Sequence, residues 1–561
     1  MITFGPMTVA RTGQSIAPHF TRALLGAAVV AALSQPLRAQ ITLTHTEDAA
    51  PIPAGTVRFR MTTGWSRYDE RFTGNGTRSI SDDIATDSLG PSQFPLLAPV
   101  QAGLQTLTAN PLTRLTLGHL DAQSDIRTVT TPIALELGIT RRLSVGIMVP
   151  IIQTRRSIRI SVNADSTQLA NVGFVPARSR GIAASSNAVV YAAFVTAADS
   201  LSRLATRCAA QPSASGCAAV NGNSASIQAL ITQTQAFAAA IKTALGTDSA
   251  SAVVAPRTGG AIAASITARE AQLTSQLQTY LGPSAGTSAS VFTAATDFSY
   301  IDLQGRNGVP GFLQSTLGGG LDSLETTNKL TVGGVTFAAQ WMVMDRFHYD
   351  TIPFSGVQSR LAVGGEARIE TLPADSARQL GLVSSRLGSA VAVKSAMDVV
   401  RGRAGATIAA RYEKGFARTV QVSTSGETDA FFVNPSFVLA SRTPGDVITL
   451  DLTPRYLLTR WIALDAHYGI ERTGAASYDD GAVCADPQSC TALPPAAAHT
   501  AQRVGFGFRY STIDSYLRGA VAMPLEVSFT HLETITGDAG TPKIFRDQVQ
   551  VRVYVPVFGN H

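Results

Sequence analysis

The sequence predicts an all-β protein: an antiparallel transmembrane β-barrel of about 12 strands, with an α-helical insert in one extracellular loop. Three observations lead to this fold class. Large apolar side chains recur at every second position in many separate segments, which is the period of a strand with one apolar face. The connections between these segments are alternately short and long, as in outer-membrane barrels. The N-terminus carries an export signal.

The export signal occupies residues 1–39. Arg11 and Arg22 precede the apolar run Leu24–Leu33, and the small residue Ala39 ends a Leu-Arg-Ala cleavage site. A buried N-terminal helix is the other interpretation of the apolar run. The signal-peptide interpretation leaves residues 40–561 as an exported chain that forms the barrel.

Twelve segments carry the two-residue alternation. They are residues 56–65, 133–139, 143–153, 335–343, 359–370, 402–412, 431–440, 448–458, 461–471, 502–510, 524–531 and 548–558. Short turns are predicted at 140–142, 413–417 and 459–460, and long connectors at about 69–124, 164–329, 475–498 and 535–544. Residues 418–440 must then form one long or broken strand, because two strands there would reverse the direction of every later strand.

The residues between the apolar positions indicate which medium the apolar face meets. In a secreted β-sandwich, the opposite face would meet water and would carry Lys and Glu freely. Here it is rich in Gly, Ser, Thr and Arg, which suits the interior of a narrow barrel. A closed barrel also satisfies every backbone group, as hydrocarbon requires. The sequence therefore predicts the cell outer membrane, with outer-membrane lipid and the barrel-assembly machinery as partners.

An Ala-rich helical insert is predicted over residues 165–325, between the third and fourth strands. Val190, Phe194, Ala197 and Leu201 have helical spacing, and similar runs follow at 227–241 and 273–281. Gly246 and Gly282-Pro283 are stop signals for the second and third helices. The insert is either a surface cap without a function of its own or a gate.

The four cysteines form two local pairs, Cys208–Cys217 and Cys484–Cys490, each in a polar, loop-like segment. Such pairs in an exported protein predict two disulfides. Metal sites need His or Cys at shorter, regular spacing, so no metal and no cofactor are predicted.

Assigning each apolar face to lipid turns twelve arginines, seven carboxylates and one histidine towards the lumen. They are Arg58, Arg60, Glu136, Arg155, Arg159, Arg360, Glu366, Arg368, Glu370, Arg403, Arg411, Asp451, Arg455, Asp465, His467, Glu471, Arg503, Arg509, Glu526 and Arg552. One interpretation is an ion-pair network that stiffens the inner wall. The other is a cationic constriction that attracts anionic solutes.

No enzyme is predicted. His467 and Asp465 share a face and could orient an imidazole as a base, but no serine nucleophile can be placed beside them. The net charge of +6 is small and dispersed, so nucleic acid is not predicted as a partner.

The second and third strands share a motif with a known family. The pattern I-x-L-x-x-G-x-T-x-x-L-x-x-G-x-x-V-P spans residues 133–150, and GGGLDSL at 318–324 and the closing VQVRVYVPVF add to it. These strands resemble outer-membrane proteins of the phenol-degradation MetA-pathway type and, more loosely, hydrophobic-compound transporters of the long-chain fatty-acid channel kind. The resemblance does not cover the helical insert.

The resemblance implies a channel for passive uptake or efflux of small, hydrophobic or aromatic compounds across the outer membrane. A second hypothesis is a closed barrel that acts as an anchor and displays the helical bundle for partner binding or adhesion.

Overall fold

A computed structural model describes residues 49–557 apart from ten gaps. The gaps are residue 51, residue 84, 165–169, 323–325, 348–353, 371–387, 424–436, 480–496, 518–520 and 522–523. The signal peptide at 1–39, the Cys484–Cys490 pair and both predicted ends of the insert lie outside the described residues.

Twelve strands form one closed antiparallel barrel. They are β1 (Thr56–Thr73), β2 (Leu120–Gly138), β3 (Leu143–Val162), β4 (Val335–Asp345), β5 (Phe354–Ile369), β6 (Ala390–Gly402), β7 (Ala404–Gly415), β8 (Val447–Leu457), β9 (Ile462–Thr473), β10 (His499–Ser511), β11 (Leu525–Gly537) and β12 (Pro542–Pro556). Each strand pairs with the next, and β12 pairs with β1 from Thr56–Pro556 to Arg71–Pro542. The predicted fold class is confirmed.

Two errors in the predicted strand list cancel. Ala390–Gly402 was missed and is β6, which pairs with both β5 and β7. Residues 418–440 do not cross the membrane as one strand: Arg418–Ser423 pairs with Phe437–Thr443, and this hairpin pairs with Ser477–Asp479 in a separate sheet. The predicted turn at 413–417 is also wrong, because its first three residues belong to β7, which pairs directly with β8. The true short turn, between β6 and β7, is the two-residue loop of Gly402 and Arg403, since Arg401 pairs with Ala404.

The barrel is longest at β2 and β3. Their outer ends pair with each other, from Leu120–Val162 to Asp125–Ser157. The pairing of β2 with β1 ends at Ile126, and the pairing of β3 with Thr327–Val332 ends at Arg156. The hairpin therefore projects beyond its neighbours as a two-stranded ribbon.

The projecting ribbon carries the helical insert. Its helices are α1 (Ala98–Thr108), which comes from the β1–β2 connector, then α2 (Ala177–Ala210), α3 (Cys217–Gly222), α4 (Ser224–Ala240), α5 (Ala261–Leu281) and α6 (Tyr300–Gln304). A π-helical turn, Ile241–Leu245, follows α4, and Gly282 caps α5 as predicted. Short paired strands at Val172–Phe174 and Val254–Pro256, and at Gly305–Arg306 and Val309–Pro310, complete the insert.

One hydrophobic core joins the insert, α1 and the ribbon. Leu104 of α1, Phe194 of α2, Phe237 of α4 and Leu273 of α5 are almost fully buried in it, together with Leu120 of the ribbon. Helix α2 is long and apolar enough to cross a membrane by length and composition, but Val190, Phe194, Ala197 and Leu201 on one of its faces pack in this core. The predicted Cys208–Cys217 disulfide is formed and ties the end of α2 to α3.

The segment before β1 lies inside the barrel, against the inner face of its wall. Ala49 is fully buried against Met342, Ala362, Ala396 and Ala409, which are inward residues of β4 to β7. Alanine at three of these four positions leaves space for the segment. A last short helix, α7 (Ile513–Leu517), lies in the β10–β11 connection.

Candidate functional site: the inner face of the barrel

The two faces of the barrel wall differ in polarity. Apolar side chains such as Ile147, Phe337 and Leu450 are 39%, 48% and 50% exposed. Polar side chains that alternate with them are buried: Thr449 and Arg552 are each only 1% exposed. Since a single-layered closed sheet has one inside and one outside, the polar face is the inner face.

A chain of ion pairs crosses five neighbouring strands on this inner face. Asp465 of β9 contacts Arg455 of β8 at 2.9 Å and Arg509 of β10 at 3.6 Å. Arg509 reaches Glu526 of β11 at 3.6 Å, and Glu526 contacts Arg552 of β12 at 3.1 Å. Each ion pair joins side chains of two neighbouring strands, so these pairs connect the strands in addition to the backbone hydrogen bonds.

The same chain continues across the closure of the barrel. Arg552 is directly opposite Arg60 of β1 in the strand register. Arg60 contacts Glu136 of β2 at 2.9 Å, and Arg58 also pairs with Glu136. The guanidinium of Arg58 lies over the ring of Tyr554, 5.9 Å from its centroid. The first and last strands are therefore joined by the cation–π contact between Arg58 and Tyr554 as well as by the sheet.

A second group of ion pairs covers β5, β6 and β7. Glu366 contacts Lys394 at 2.8 Å and Arg411 at 3.2 Å. Glu413 pairs with Arg411 and contacts Arg368 at 2.7 Å. All five side chains are mostly buried, so these charges face one another and not bulk water.

Asp398 of β6 connects this wall to the segment before β1. It contacts Arg360 at 2.6 Å and accepts a hydrogen bond from Thr407 at 2.6 Å. It also accepts the backbone N–H of Ala49 at 3.2 Å. A carboxylate with three donors is well satisfied, and here it holds residue 49 inside the barrel.

The remaining predicted residues of the inner face lie outside the two groups of ion pairs described above. Arg503 contacts Glu471 at 3.1 Å. His467 and Asp451 are each 8% exposed, and Nδ1 of His467 lies 3.1 Å from the hydroxyl of Thr453. Glu370 follows the last residue of β5, and its backbone N–H donates to the Ser389 hydroxyl at 3.1 Å.

At the end of the barrel where β1 begins, the inner face opens into a cavity of about 310 Å³. Arg360, Arg455 and Arg509 line it on one side and Ile52 of the entering segment on another. The indole of Trp461 and the ring of Tyr554 contribute aromatic surface. The cavity thus combines guanidinium groups with apolar and aromatic walls.

Aromatic side chains are exposed near both ends of the outer face. Trp341 and Tyr456 lie at the end where β1 begins, and Tyr412 and Tyr468 lie nearer the other end. A closed barrel with an apolar outer band between aromatic residues fits a bilayer and not water. The chain is an outer-membrane β-barrel.

Similar chains are found among solved structures. No protein-family model and no curated protein matches the chain. The COG4313 outer membrane channel of Pseudomonas putida F1 is similar over 92% of this chain and 100% of that one, at 7% identity and a TM-score of 0.37. The P. putida toluene transporter TodX is similar over 89% and 88%, at 10% identity and a TM-score of 0.21. A FadL homologue of Pseudomonas aeruginosa covers 90% and 91%, at 9% identity and a TM-score of 0.23.

Three of the sequence-predicted lumen residues are not on the inner face of the barrel. Arg155 and Arg159 are exposed on the same face of β3 as Ile147 and Ile151, while the neighbouring Arg156 is buried. The two-residue period of β3 continues without a bulge past residue 151, although the apolar residues change faces at Ile158 and Ile160. Following the period instead of the apolar residues would have placed these two arginines outside. Arg403 is an exposed residue of the two-residue turn between β6 and β7.

Sequence reasoning missed several buried charges of the inner face. Lys394 and Asp398 belong to the unrecognised strand β6, and Glu413 lies in the predicted turn that is really the end of β7. Arg546 lies in β12 just before the segment whose alternation was recognised, and it is only 4% exposed. Extending the two-residue period in both directions from residue 548 would have found it.

Proposed function

We propose that the chain is an outer-membrane channel that admits small solutes, of hydrophobic or aromatic type if the resemblance of its strands extends to function. The observation that supports this most is the closed barrel with a polar, charge-lined inner face. We propose that the following residues line its lumen: Arg58, Arg60, Glu136, Arg360, Glu366, Arg368, Glu370, Arg411, Asp451, Arg455, Asp465, His467, Glu471, Arg503, Arg509, Glu526 and Arg552.

Passage requires movement, because the inner side chains fill this conformation of the barrel. Thr449, Gln548 and Arg552 are 1% exposed, so water has almost no access to them. Many of the charges are paired, which supports a stiff wall more than a simple cationic constriction. The moving part is then an element inside or above the wall.

Two elements are placed to move. The segment before β1 enters the barrel at the end where β1 begins, with Ala49, Ala50, Ile52 and Pro53 as its described residues. At the other end, the insert packs on Leu120, Ala122, Ile158 and Ile160 of the ribbon, which have the same alternation as the inward residues lower in β2 and β3. This placement supports an insert that covers the opening.

Removing the insert tests the channel. Residues 159–325 are replaced by a short Gly/Ser linker, since the backbone N–H of Ile158 donates to the Thr326 hydroxyl at 3.4 Å and the remaining ends are close. Residues 87–118 are shortened too, because α1 packs on the insert. Entry of a neutral aromatic solute into vesicles should then increase, while heat-modifiable migration on a gel reports that the barrel still folds. Unchanged entry, together with loss of a binding activity of the full chain, would instead favour an anchor that displays the insert.

A further inference from the structure

Arg546 of β12 is a buried cation that the ion-pair networks of the inner face do not use. It lies on the same face of β12 as Gln548, Gln550 and Arg552, and it is 4% exposed. Within the part of the chain that the structure describes, Nε and Nη2 of Arg546 have no hydrogen-bond partner. Two buried N–H groups of a guanidinium without hydrogen-bond partners are unfavourable, so we expect this position to have a function other than packing.

The free edge of this guanidinium has a specific shape. Nε and Nη2 form one side of the planar group and are spaced to donate two parallel hydrogen bonds to the two oxygens of a carboxylate. The group lies directly over Gly64 of β1, where a Cβ atom would be 3.0 Å from Nη2 and 3.1 Å from Nε. Glycine at 64 therefore leaves space for this edge.

Other polar atoms around Gly64 also lack partners. Gly64 is directly opposite Gln548 on one side and Thr130 on the other. Oε1 of Gln548 and Oγ1 of Thr130 are buried and, among the described residues, form no hydrogen bond. The Thr130 hydroxyl is a further donor that an anion could use. Three neighbouring strands thus bring unused hydrogen-bonding groups to one place.

The local charge is positive. Arg546 interacts electrostatically with Arg503 and Glu471, and Glu471 already pairs with Arg503 at 3.1 Å. Side chains of that pair are 17% and 20% exposed, so they are more accessible than Arg546. All three residues lie in the outer halves of their strands, and a solute that enters from that side meets Arg503 before Arg546.

We propose that Arg546, with Gly64 and Thr130 beside it, is a binding site for the carboxylate of a small solute. This inference rests on the proposed channel function and narrows it to solutes that carry an acid group. The ring or chain of the solute then contacts the apolar surface of the lumen. The carboxylate takes the free edge of the guanidinium, and Gln548 moves aside because its amide oxygen would otherwise face the anion.

The test compares benzoate with benzamide, which has the same size and no charge. Binding to the purified full chain is measured by the shift of its thermal unfolding midpoint and by titration calorimetry. Benzoate should bind and benzamide should not. In Arg546→Met the dissociation constant for benzoate should rise at least about tenfold, as expected when a charge-assisted double hydrogen bond is lost. Arg546→Lys keeps the charge without the planar edge and should give a smaller loss.

Arg155→Met is the matched control, since it removes an exposed arginine from the outer face and should leave benzoate binding unchanged. Arg546→Met should also keep or raise the unfolding midpoint without ligand, because it removes an unpaired buried charge. A lower midpoint, equal binding of benzoate and benzamide, or unchanged benzoate binding in Arg546→Met would each overturn the site. Entry of benzamide into vesicles is measured separately and reports on the channel itself.

Discussion

Glu270 in α5 is a single carboxyl group whose environment should make the insert sensitive to pH. It is 5% exposed, and its main polar contact is a long hydrogen bond, 3.4 Å, from the backbone N–H of Val291. Burial raises the pKa of Glu270 to about 7. The folded insert therefore holds this proton more tightly than the unfolded chain does.

The sign of the effect follows from this raised pKa. Protonated Glu270 favours the folded insert below the unfolded pKa of about 4.5, and that stability is lost as the pH rises through 7. The loss amounts to about 3 kcal/mol at alkaline pH. Hydrogen exchange of α5, corrected for the intrinsic pH dependence, should show faster opening at pH 8 than at pH 5.

Glu270→Gln should remove this pH dependence, because the amide stays neutral, whereas Asp199→Asn, at an exposed position of α2, should leave it in place. Equal opening of α5 at the two pH values in the unaltered chain would contradict the prediction.

Gly138, at the end of β2, determines whether residues 49–53 can stay inside the barrel. A Cβ atom at 138 would lie 2.6 Å from the carbonyl oxygen of Ile52 and closer still to that of Pro53. Gly138→Ala should therefore displace the entering segment, and ion conductance across planar bilayers should increase severalfold.

Gly74 is the matched control for this element, because a Cβ atom there meets nothing within 4 Å. Gly74→Ala should conduct like the unaltered chain. If Gly138→Ala also conducts like the unaltered chain, residues 49–53 do not restrict the lumen.

Element by element, the sequence is most informative where the two faces of a strand differ strongly. In β8, Leu450 and Leu452 alternate with Thr449 and Asp451, and the strand is visible from the pattern alone. In β6 the inward positions include Ala392 and Ala396, so both faces look apolar and the period is lost. Ala396 packs against Ala49 of the entering segment, and this long-range contact cannot be predicted from a local pattern. The direction of a strand could likewise be predicted only where a turn had been recognised. The turn of Gly402 and Arg403 is too short to be recognised from the sequence.

The inner charges followed the same rule. Those on well-recognised strands, such as Asp465 and Arg552, were found, and those on β6 were not. Their pairing could not be predicted, because it depends on which strands are neighbours: Arg509 contacts residues of β9 and β11, whose order in the barrel the sequence does not state.

For the whole molecule, the surrounding medium decides what an outward substitution does. Leu452 is 41% exposed near the middle of β8. In water, Leu452→Arg would change stability little. In a bilayer it should lower the free energy of unfolding by about 2–4 kcal/mol, because a charge is moved into hydrocarbon. Urea unfolding in lipid vesicles measures this difference.

Leu112, in the β1–β2 connector, is 77% exposed and provides the comparison. Leu112→Arg should be nearly neutral. A neutral Leu452→Arg would mean that the apolar band does not face lipid.

The pairing of β1 with β12 also constrains how the protein is made. Its partners, such as Thr56 and Pro556, are far apart in the sequence, so closure of the barrel needs residues translated long after β1. Until then two unpaired sheet borders remain, which hydrocarbon does not tolerate. Strand β12 must therefore be exported before the barrel can close in the membrane, and a chain truncated before residue 542 should stay in the periplasm as a target for proteases.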